Sequence, residues 1–356
     1  MLLPSVVPAQ EVTWWQKDLP SALAAAGETK ARMVLLYCWR DGHEGCKAMF
    51  SGTLSEKSVM AVMNDFLCMA AKTDQPDGKA VQEKYGVDKL PVVLFLKPDG
   101  SVVDAVAGYV PVEQFKEEVS RILAGKGTVE ALRAEVEKAP KDLVLKLRLA
   151  NKLRATGDRK GASAVLADQL ALDPKFRTEA GAEARLLQIY DETFKPEIAP
   201  QDYDLKALKE FLVRQKQKRI LFLGYDKIAA VEYMRGDLKA ACEAAVRAWK
   251  NIPKDQILDW GQNIASKAYL HHKDLDRSQL KLALEISKKA LAEVEARCKE
   301  KPDPAFLANA LYLHASVQIV NNLRKDAFAS MQQAIELNPT DDNLKKALDR
   351  WKSGAK

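Results

Sequence analysis

The chain has 356 residues, of which 47% are hydrophobic and 29% are charged, and its formal net charge is +6. This balance is typical of a soluble globular protein with two or three domains of about 100–200 residues each. The longest apolar run, Met33 to Trp39, is far shorter than the ~20 residues that cross a bilayer, so a transmembrane helix is excluded, as are collagenous and disordered chains.

The charge is divided unevenly along the chain. Residues 1–125 hold 13 basic and 16 acidic residues, a net charge of −3, whereas the remainder holds 42 and 33, a net charge of +9. The densest basic cluster runs from Arg214 to Arg219 and is typical of a solvated helix face, because nucleic-acid-binding domains combine denser patches with a recognisable motif. We therefore predict that nucleic acid is not a partner.

Residues 1–10 are a candidate signal-peptide remnant or a disordered terminus. They end in small residues, as secretory signals do, but they lack a basic region and Pro4 and Pro8 interrupt their apolar part. Five cysteines without a C-x-x-C pair are too few and too scattered for a disulfide scaffold. Export to a periplasm and a cytoplasmic location both remain open.

Residues 11–125 alternate predicted helices and strands. A helix from Leu19 is expected to end at Gly27, and Met33 to Trp39 is expected to be a strand buried on both faces. The elements that follow are a helix through Cys46 to Phe50, a helix capped by Ser55, a strand over 66–71, a helix over 79–85, strands over 92–96 and 101–107 joined by Pro98-Asp99-Gly100, and a helix over Phe115 to Leu123. This order predicts an α/β domain.

The order also resembles the thioredoxin fold. Trp39 lies where thioredoxins have the tryptophan upstream of their active site, and Cys46-Lys47 matches the end of their W-C-x-x-C-K motif. Leu90-Pro91 matches the cis-proline loop, and Gly108 the glycine after the hairpin. The stretch before the first strand looks most like bacterial thioredoxin-like proteins that are fused to other modules. The resemblance implies an α/β thioredoxin-like domain over 11–125.

The resemblance places His43 where the family has its nucleophilic cysteine. Aligned on Cys46, C-G-P-C becomes His43-Glu44-Gly45-Cys46. The dithiol–disulfide cycle cannot run with the second cysteine alone, because exchange needs a first thiolate that attacks and a partner that releases it. Cys38 and Cys68 do not replace it, since both fall inside predicted strands and are expected to be core thiols.

Three interpretations of His43-x-x-Cys46 compete. In the first the site is degenerate, with His43 at a helix N-terminus and Cys46 a buried small apolar residue. In the second His43 accepts the Cys46 proton, and the two are catalytic candidates in a monothiol reaction. In the third they share a metal ion, for which Glu44 is a poor third ligand beside a thiolate. We predict no metal and no cofactor.

The resemblance also implies a peptide-binding edge. In this fold the residue before the cis-proline offers its backbone N–H and C=O to an extended peptide beside the active-site loop. The candidate peptide-binding residues are therefore Trp39, His43, Leu90 and Pro91. The alternative is that Pro91 is needed only for folding.

Residues 126–356 are predicted to be helical throughout, after a linker at Ala124 to Thr128. A pattern of small residues, a turn glycine and a closing proline recurs over 147–174, 229–253 and 315–339, with Asn322 in the glycine position of the last copy and a weaker copy around 283–290. These segments look like tetratricopeptide repeats of roughly 34 residues. Helices over 178–194 and 205–217 are then degenerate repeats, and Asp341 to Trp351 is a capping helix.

The repeats imply a helical solenoid that binds a protein or peptide, and the basic surplus favours an acidic segment. We therefore predict a non-catalytic interaction or scaffold protein that joins a redox-degenerate thioredoxin-like module to a peptide-binding solenoid. The alternative is a monothiol disulfide reductase or isomerase that uses Cys46. A chaperone-type docking platform is a third possibility.

Overall fold

A computed structural model describes residues 18–28, 33–87, 89–195 and 197–354. The candidate signal remnant, residues 1–10, lies outside this part of the chain. The residues divide into two compact units, Met1–Arg185 and Leu186–Lys356. An α/β region is followed by a long run of helices, as the sequence predicts.

The α/β region is built on a four-stranded sheet. Its strands are β1 (Val34–Trp39), β2 (Leu67–Lys72), β3 (Val92–Leu96) and β4 (Val102–Ala107). They lie in the order β2-β1-β3-β4, with β1 parallel to β2 and antiparallel to β3, and β3 antiparallel to β4. The first five residues of β1 are buried, which explains why this strand reads as an unbroken apolar run.

Five helices accompany the sheet: α1 (Leu19–Glu28), α2 (Glu44–Met49), α3 (Lys57–Met63), α4 (Pro76–Lys84) and α5 (Val112–Leu123). Side chains of α1 and α4 share one core layer with the sheet, and those of α2, α3 and α5 share the other. Alternate residues of β1 contribute to the two layers, as the period of a strand requires.

Two predicted helix caps are wrong. Gly27 lies inside the last turn of α1 rather than after it. Glu56, not Ser55, is the N-cap residue of α3. A π-helical turn over Phe50–Leu54 follows α2 directly, and Ser55 closes it by donating its hydroxyl to the Phe50 carbonyl at 2.8 Å. The sequence gives no signal for this wider turn.

Four further helices begin in the first compact unit: α6 (Val129–Lys138), α7 (Leu143–Ala155), α8 (Arg159–Leu172) and α9 (Glu179–Thr193). Asp104 of β4 is fully buried and links α5 and α7 to the sheet. It accepts hydrogen bonds from Arg121 Nη2 at 2.8 Å and from Lys152 Nζ at 2.6 Å. The turn before α8 also lies against the C-terminal end of α4. The contact is so close that a Cβ added at Gly157 would lie 1.7 Å from the Tyr85 carbonyl oxygen. These helices are thus integral to the first unit.

The described part of the second unit is helical. After α9 come α10 (Lys206–Val213), α11 (Lys218–Met234), α12 (Leu238–Lys250), α13 (Ile257–Leu270), α14 (Arg277–Glu300), α15 (Pro304–Val320), α16 (Arg324–Leu337) and α17 (Asp342–Lys352). α11 packs on α12, α13 on α14 and α15 on α16. Among the described residues, no helix has the length and apolar character needed to cross a membrane.

The positions at which the sequence pattern predicts small side chains are buried between the helices of the hairpins. Ala162, Ala248 and Ala315 each have 0% exposure. The predicted turn positions Gly157, Gly236 and Asn322 have φ values of 82°, 80° and 62°. All three are left-handed, so the turn of each hairpin is made by a backbone conformation that favours glycine or asparagine.

Candidate functional site

His43 is the N-cap residue of α2, in the loop that follows β1. Its Nδ1 accepts a hydrogen bond from the Cys46 backbone N–H at 3.2 Å. A ring nitrogen that accepts a hydrogen bond from an N–H group carries no proton itself. In this arrangement the proton of the imidazole ring is therefore on Nε2. His43 therefore performs the capping task that Ser, Thr, Asp or Asn usually performs at a helix start.

Cys46 lies one turn into α2 and is 2% exposed. Its carbonyl oxygen accepts a hydrogen bond from Tyr37 Oη at 2.8 Å. Burial raises the pKa of Tyr37 well above its usual value, and the neighbouring Cys46 side chain adds to this effect. The phenol therefore stays protonated and acts as a hydrogen-bond donor, which anchors the first turn of α2 to β1.

The cis-proline loop approaches the same turn. The Leu90–Pro91 peptide bond is cis, and the Pro91 carbonyl accepts a hydrogen bond from the Gly108 N–H at 2.7 Å. A Cβ added at Gly45 would lie 3.1 Å from His43 Cε1 and 3.3 Å from Pro91 Cδ. Glycine at position 45 thus lets the His43 ring and the proline loop come together.

A cavity of ≈ 550 Å³ opens beside Cys46 and His43. Its apolar wall includes Tyr37, Trp39, Phe50 and Ala70, and Phe50 is 47% exposed. The charged lining residues carry both signs: Arg40 and Lys47 are basic, and Asp41 and Glu44 are acidic. This is a pocket of the size that accepts a ligand or a side chain, roughly 300–1,000 Å³.

The four candidate peptide-binding residues separate into two pairs. Trp39 and His43 line the cavity, whereas Leu90 and Pro91 do not. The Leu90 side chain packs against the core layer of α1 and α4. Lys72 lies over the Trp39 ring, with Nζ 5.5 Å from a ring centroid, and forms an ion pair of 2.5 Å with Asp41.

The two cysteines of the sheet, Cys38 and Cys68, are core thiols, as the sequence predicts. Cys38 packs in the layer of α1 and α4, and Cys68 in the opposite layer. Burial raises the pKa of each thiol to about 12. Both are therefore protonated at neutral pH, and a nucleophile must be a thiolate. In the described part of the chain, no group of three His, Cys, Asp or Glu side chains is placed to hold a metal ion.

Of the four apolar wall residues, sequence reasoning found Trp39 and missed Tyr37, Phe50 and Ala70. Tyr37 had a signal, since it carries a hydroxyl within the apolar run of β1 and a buried hydroxyl needs a partner. Phe50 and Ala70 had none, because their meeting depends on the π-helical turn and on the parallel pairing of β1 with β2.

Residues 19–122 match a family model described as a thioredoxin-like domain. This part of the chain is therefore a thioredoxin-like domain. The predicted resemblance is confirmed for this domain. The comparison with curated proteins gives no match.

Several solved structures are similar to the chain. A thioredoxin from Thermus thermophilus is 25% identical, and the match covers 32% of this chain and 88% of that one with a TM-score of 0.29. The oxidised C-terminal domain of DsbD from Neisseria meningitidis is 25% identical, covering 28% and 89% with a TM-score of 0.25. A DsbH oxidoreductase is 16% identical, and the match covers 35% of this chain and 94% of that one with a TM-score of 0.29.

Proposed function

We propose that the protein is a non-catalytic interaction protein, in which a redox-degenerate thioredoxin-like domain and tetratricopeptide-like helical hairpins bind a protein or peptide partner. One observation carries the proposal: the lone pair of His43 Nδ1 is occupied by the Cys46 N–H. That nitrogen cannot also accept the thiol proton. The residue in the nucleophile's position is thus committed to holding the helix.

The state of Cys46 supports the same function. A resolving thiol works only after a first thiolate has formed a mixed disulfide, and no cysteine stands at position 43. Cys46 itself is 2% exposed. Its place in the fold is that of a small apolar residue under the first turn of α2.

The alternative function is a monothiol reductase or isomerase, and one observation favours it: Cys46 is among the residues that line the open cavity. In that reaction the Cys46 thiolate attacks one sulfur of a substrate disulfide, forms a mixed disulfide and expels the other sulfur as a thiolate. Dithiothreitol then attacks the substrate sulfur of the mixed disulfide and expels the Cys46 thiolate; its second thiol closes the oxidised dithiothreitol ring and releases the substrate thiol.

Insulin reduction by dithiothreitol separates the two functions. We expect the rate of precipitation to be the same with the protein, with Cys46→Ser and with buffer alone. Cys242→Ser serves as the control, because it removes a thiol in the second unit. Acceleration by the protein that persists in Cys242→Ser and disappears in Cys46→Ser would establish the monothiol reaction and refute our proposal.

A further inference from the structure

A second open groove lies in the second unit, between α11, α12 and α13, with a volume of ≈ 440 Å³. Of the eleven large hydrophobic side chains that are exposed in the described part of the chain, four line this groove. They are Tyr233, Met234, Leu238 and Leu270, with exposures of 55%, 55%, 39% and 68%. Contiguous exposed apolar side chains of this kind mark an interaction site, whereas scattered ones do not.

The wall of the groove is built to accept large side chains. Ala229, Ala230, Ala241 and Ala245 contribute small side chains, so a partner can approach the helices closely. Met234 adds an unbranched side chain that can adapt its shape to what it contacts. The Tyr233 and His271 rings pack in a T-shaped arrangement, with ring centroids 5.5 Å apart.

The charge of the groove is one-sided. No carboxylate is among its lining residues, and Lys267 is the lining residue that carries a formal charge, although Asp274 lies near enough to act on the Cys242 thiol. Lys267 Nζ lies 4.0 Å from Asp226 Oδ1, at the outer limit of an ion pair. The cavity in the first unit differs, because Asp41 and Glu44 line it together with its basic residues.

We propose that this groove docks a segment of a partner protein that carries large apolar side chains beside carboxylates. The apolar side chains fill the space between Tyr233, Leu238 and Leu270, and a carboxylate lies next to Lys267 and His271. The proposal rests on the interaction function proposed above and names its partner class.

The same charges disfavour a second copy of this chain as the occupant. A two-fold dimer places the same patch of both copies face to face. Lys267 would then lie near the Lys267 of the other copy, with no carboxylate among the lining residues to pair with it. Like charges across an interface oppose binding, so an acidic partner fits where a second copy does not.

Cys242 gives a local measurement of docking, because it lines the groove and is half-buried. The probes are two synthetic peptides with the same Leu and Phe residues, one spaced by Glu and the other by Lys. The rate of Cys242 alkylation by iodoacetamide is followed in the full chain by mass spectrometry, with Cys298 of α14 as the internal reference. Burial raises the pKa of Cys242, so a mildly alkaline buffer is used.

We expect the Glu peptide to slow Cys242 alkylation several-fold, and the effect to weaken as salt is added. The Lys peptide should leave the rate unchanged, as should either peptide at Cys298. Leu270→Glu should weaken binding at least about tenfold. Its matched control is Val213→Glu, since Val213 is 79% exposed and does not line the groove.

A second pair of variants tests the charge. Lys267→Gln should weaken binding of the Glu peptide, whereas Lys325→Gln, at an exposed position of α16, should not. Circular dichroism confirms that the variants are folded, and exposed substitutions of this kind usually change stability by less than about 0.5 kcal/mol.

Three outcomes would overturn the proposal. One is no protection of Cys242 by the Glu peptide, and another is equal protection by the Lys peptide. The third is protection that increases with protein concentration in the absence of peptide and is lost in Leu270→Glu, which would make a second copy the occupant. None of these outcomes changes the insulin assay, so a failure of the docking site is distinguishable from a failure of the proposed function.

Discussion

The cavity of the thioredoxin-like domain and the groove of the second unit use their residues in opposite ways. Around the cavity, the polar side chains that could take part in a reaction make hydrogen bonds that support the fold. His43 caps α2, and Tyr37 anchors its first turn to β1. The groove contains no recognisable catalytic motif, yet it leaves large apolar side chains such as Leu270 in contact with solvent. The comparison teaches that a familiar motif can identify a fold without its chemistry, whereas exposed apolar side chains identify the surface that we propose as the binding site.

The largest expected effect is a loss of stability when the buried carboxylate of Asp104 in the first unit is removed. Asp104→Ala removes the buried carboxylate that Arg121 and Lys152 share; Arg121 keeps its ion pair with Glu118, whereas Lys152 is left partly buried without this partner. Breaking a buried pair by removing one member costs about 3 kcal/mol or more. Urea unfolding should therefore show a large loss of stability. A loss below about 1 kcal/mol would mean that α7 is not held to the sheet by this carboxylate.

The next effect concerns the cap of α2. His43→Ala should destabilise the domain by about 1 kcal/mol, because the Cys46 N–H loses its acceptor. The matched variant His43→Asn supplies another good capping residue and should keep most of the stability. Thermal unfolding followed by circular dichroism measures both. Equal stability of all three proteins would show that His43 does not act as a cap and is free for another role.

The smallest expected effect concerns a buried ionisable group of the second unit, His314, and the dependence of stability on pH. His314 Nδ1 lies 2.9 Å from Ser287 Oγ, and burial lowers the pKa of this imidazole. The unfolded chain therefore binds a proton below about pH 6.5 that the folded chain does not. Its contribution to stability is complete above that pH and is lost progressively as the pH falls.

Urea unfolding between neutral and mildly acidic pH measures this loss. His314→Gln supplies an amide that can donate to Ser287 or accept from it but cannot be protonated in this pH range, so the pH dependence should become weaker. His272→Gln, in the turn before α14, is the control and should keep the dependence of the original protein. An unchanged dependence in His314→Gln would contradict the assignment.

Local patterns predicted most of the fold. The unbroken apolar run of β1, the Pro98-Asp99-Gly100 turn and the left-handed positions Gly157, Gly236 and Asn322 are each determined by neighbouring residues. The resemblance also identified Leu90–Pro91, whose peptide bond is cis.

The parts that could not be predicted depend on residues far apart in the chain. Asp104 meets Lys152 across 48 residues, which no local pattern encodes. The capping role of His43 also had no signal, because histidine is not a preferred capping residue. The groove between α11, α12 and α13 needs three helices to meet, so the repeat pattern alone could not place it.

The most direct test of the central claim is the reactivity of Cys46 in the native protein. Mass spectrometry after a short exposure to iodoacetamide at neutral pH should show Cys46 unmodified while Cys298 reacts, and His43→Ala should not slow any modification of Cys46. Rapid modification of Cys46 that becomes slow in His43→Ala would instead show that the histidine activates the thiol. That result would make the site a working monothiol centre and contradict the account.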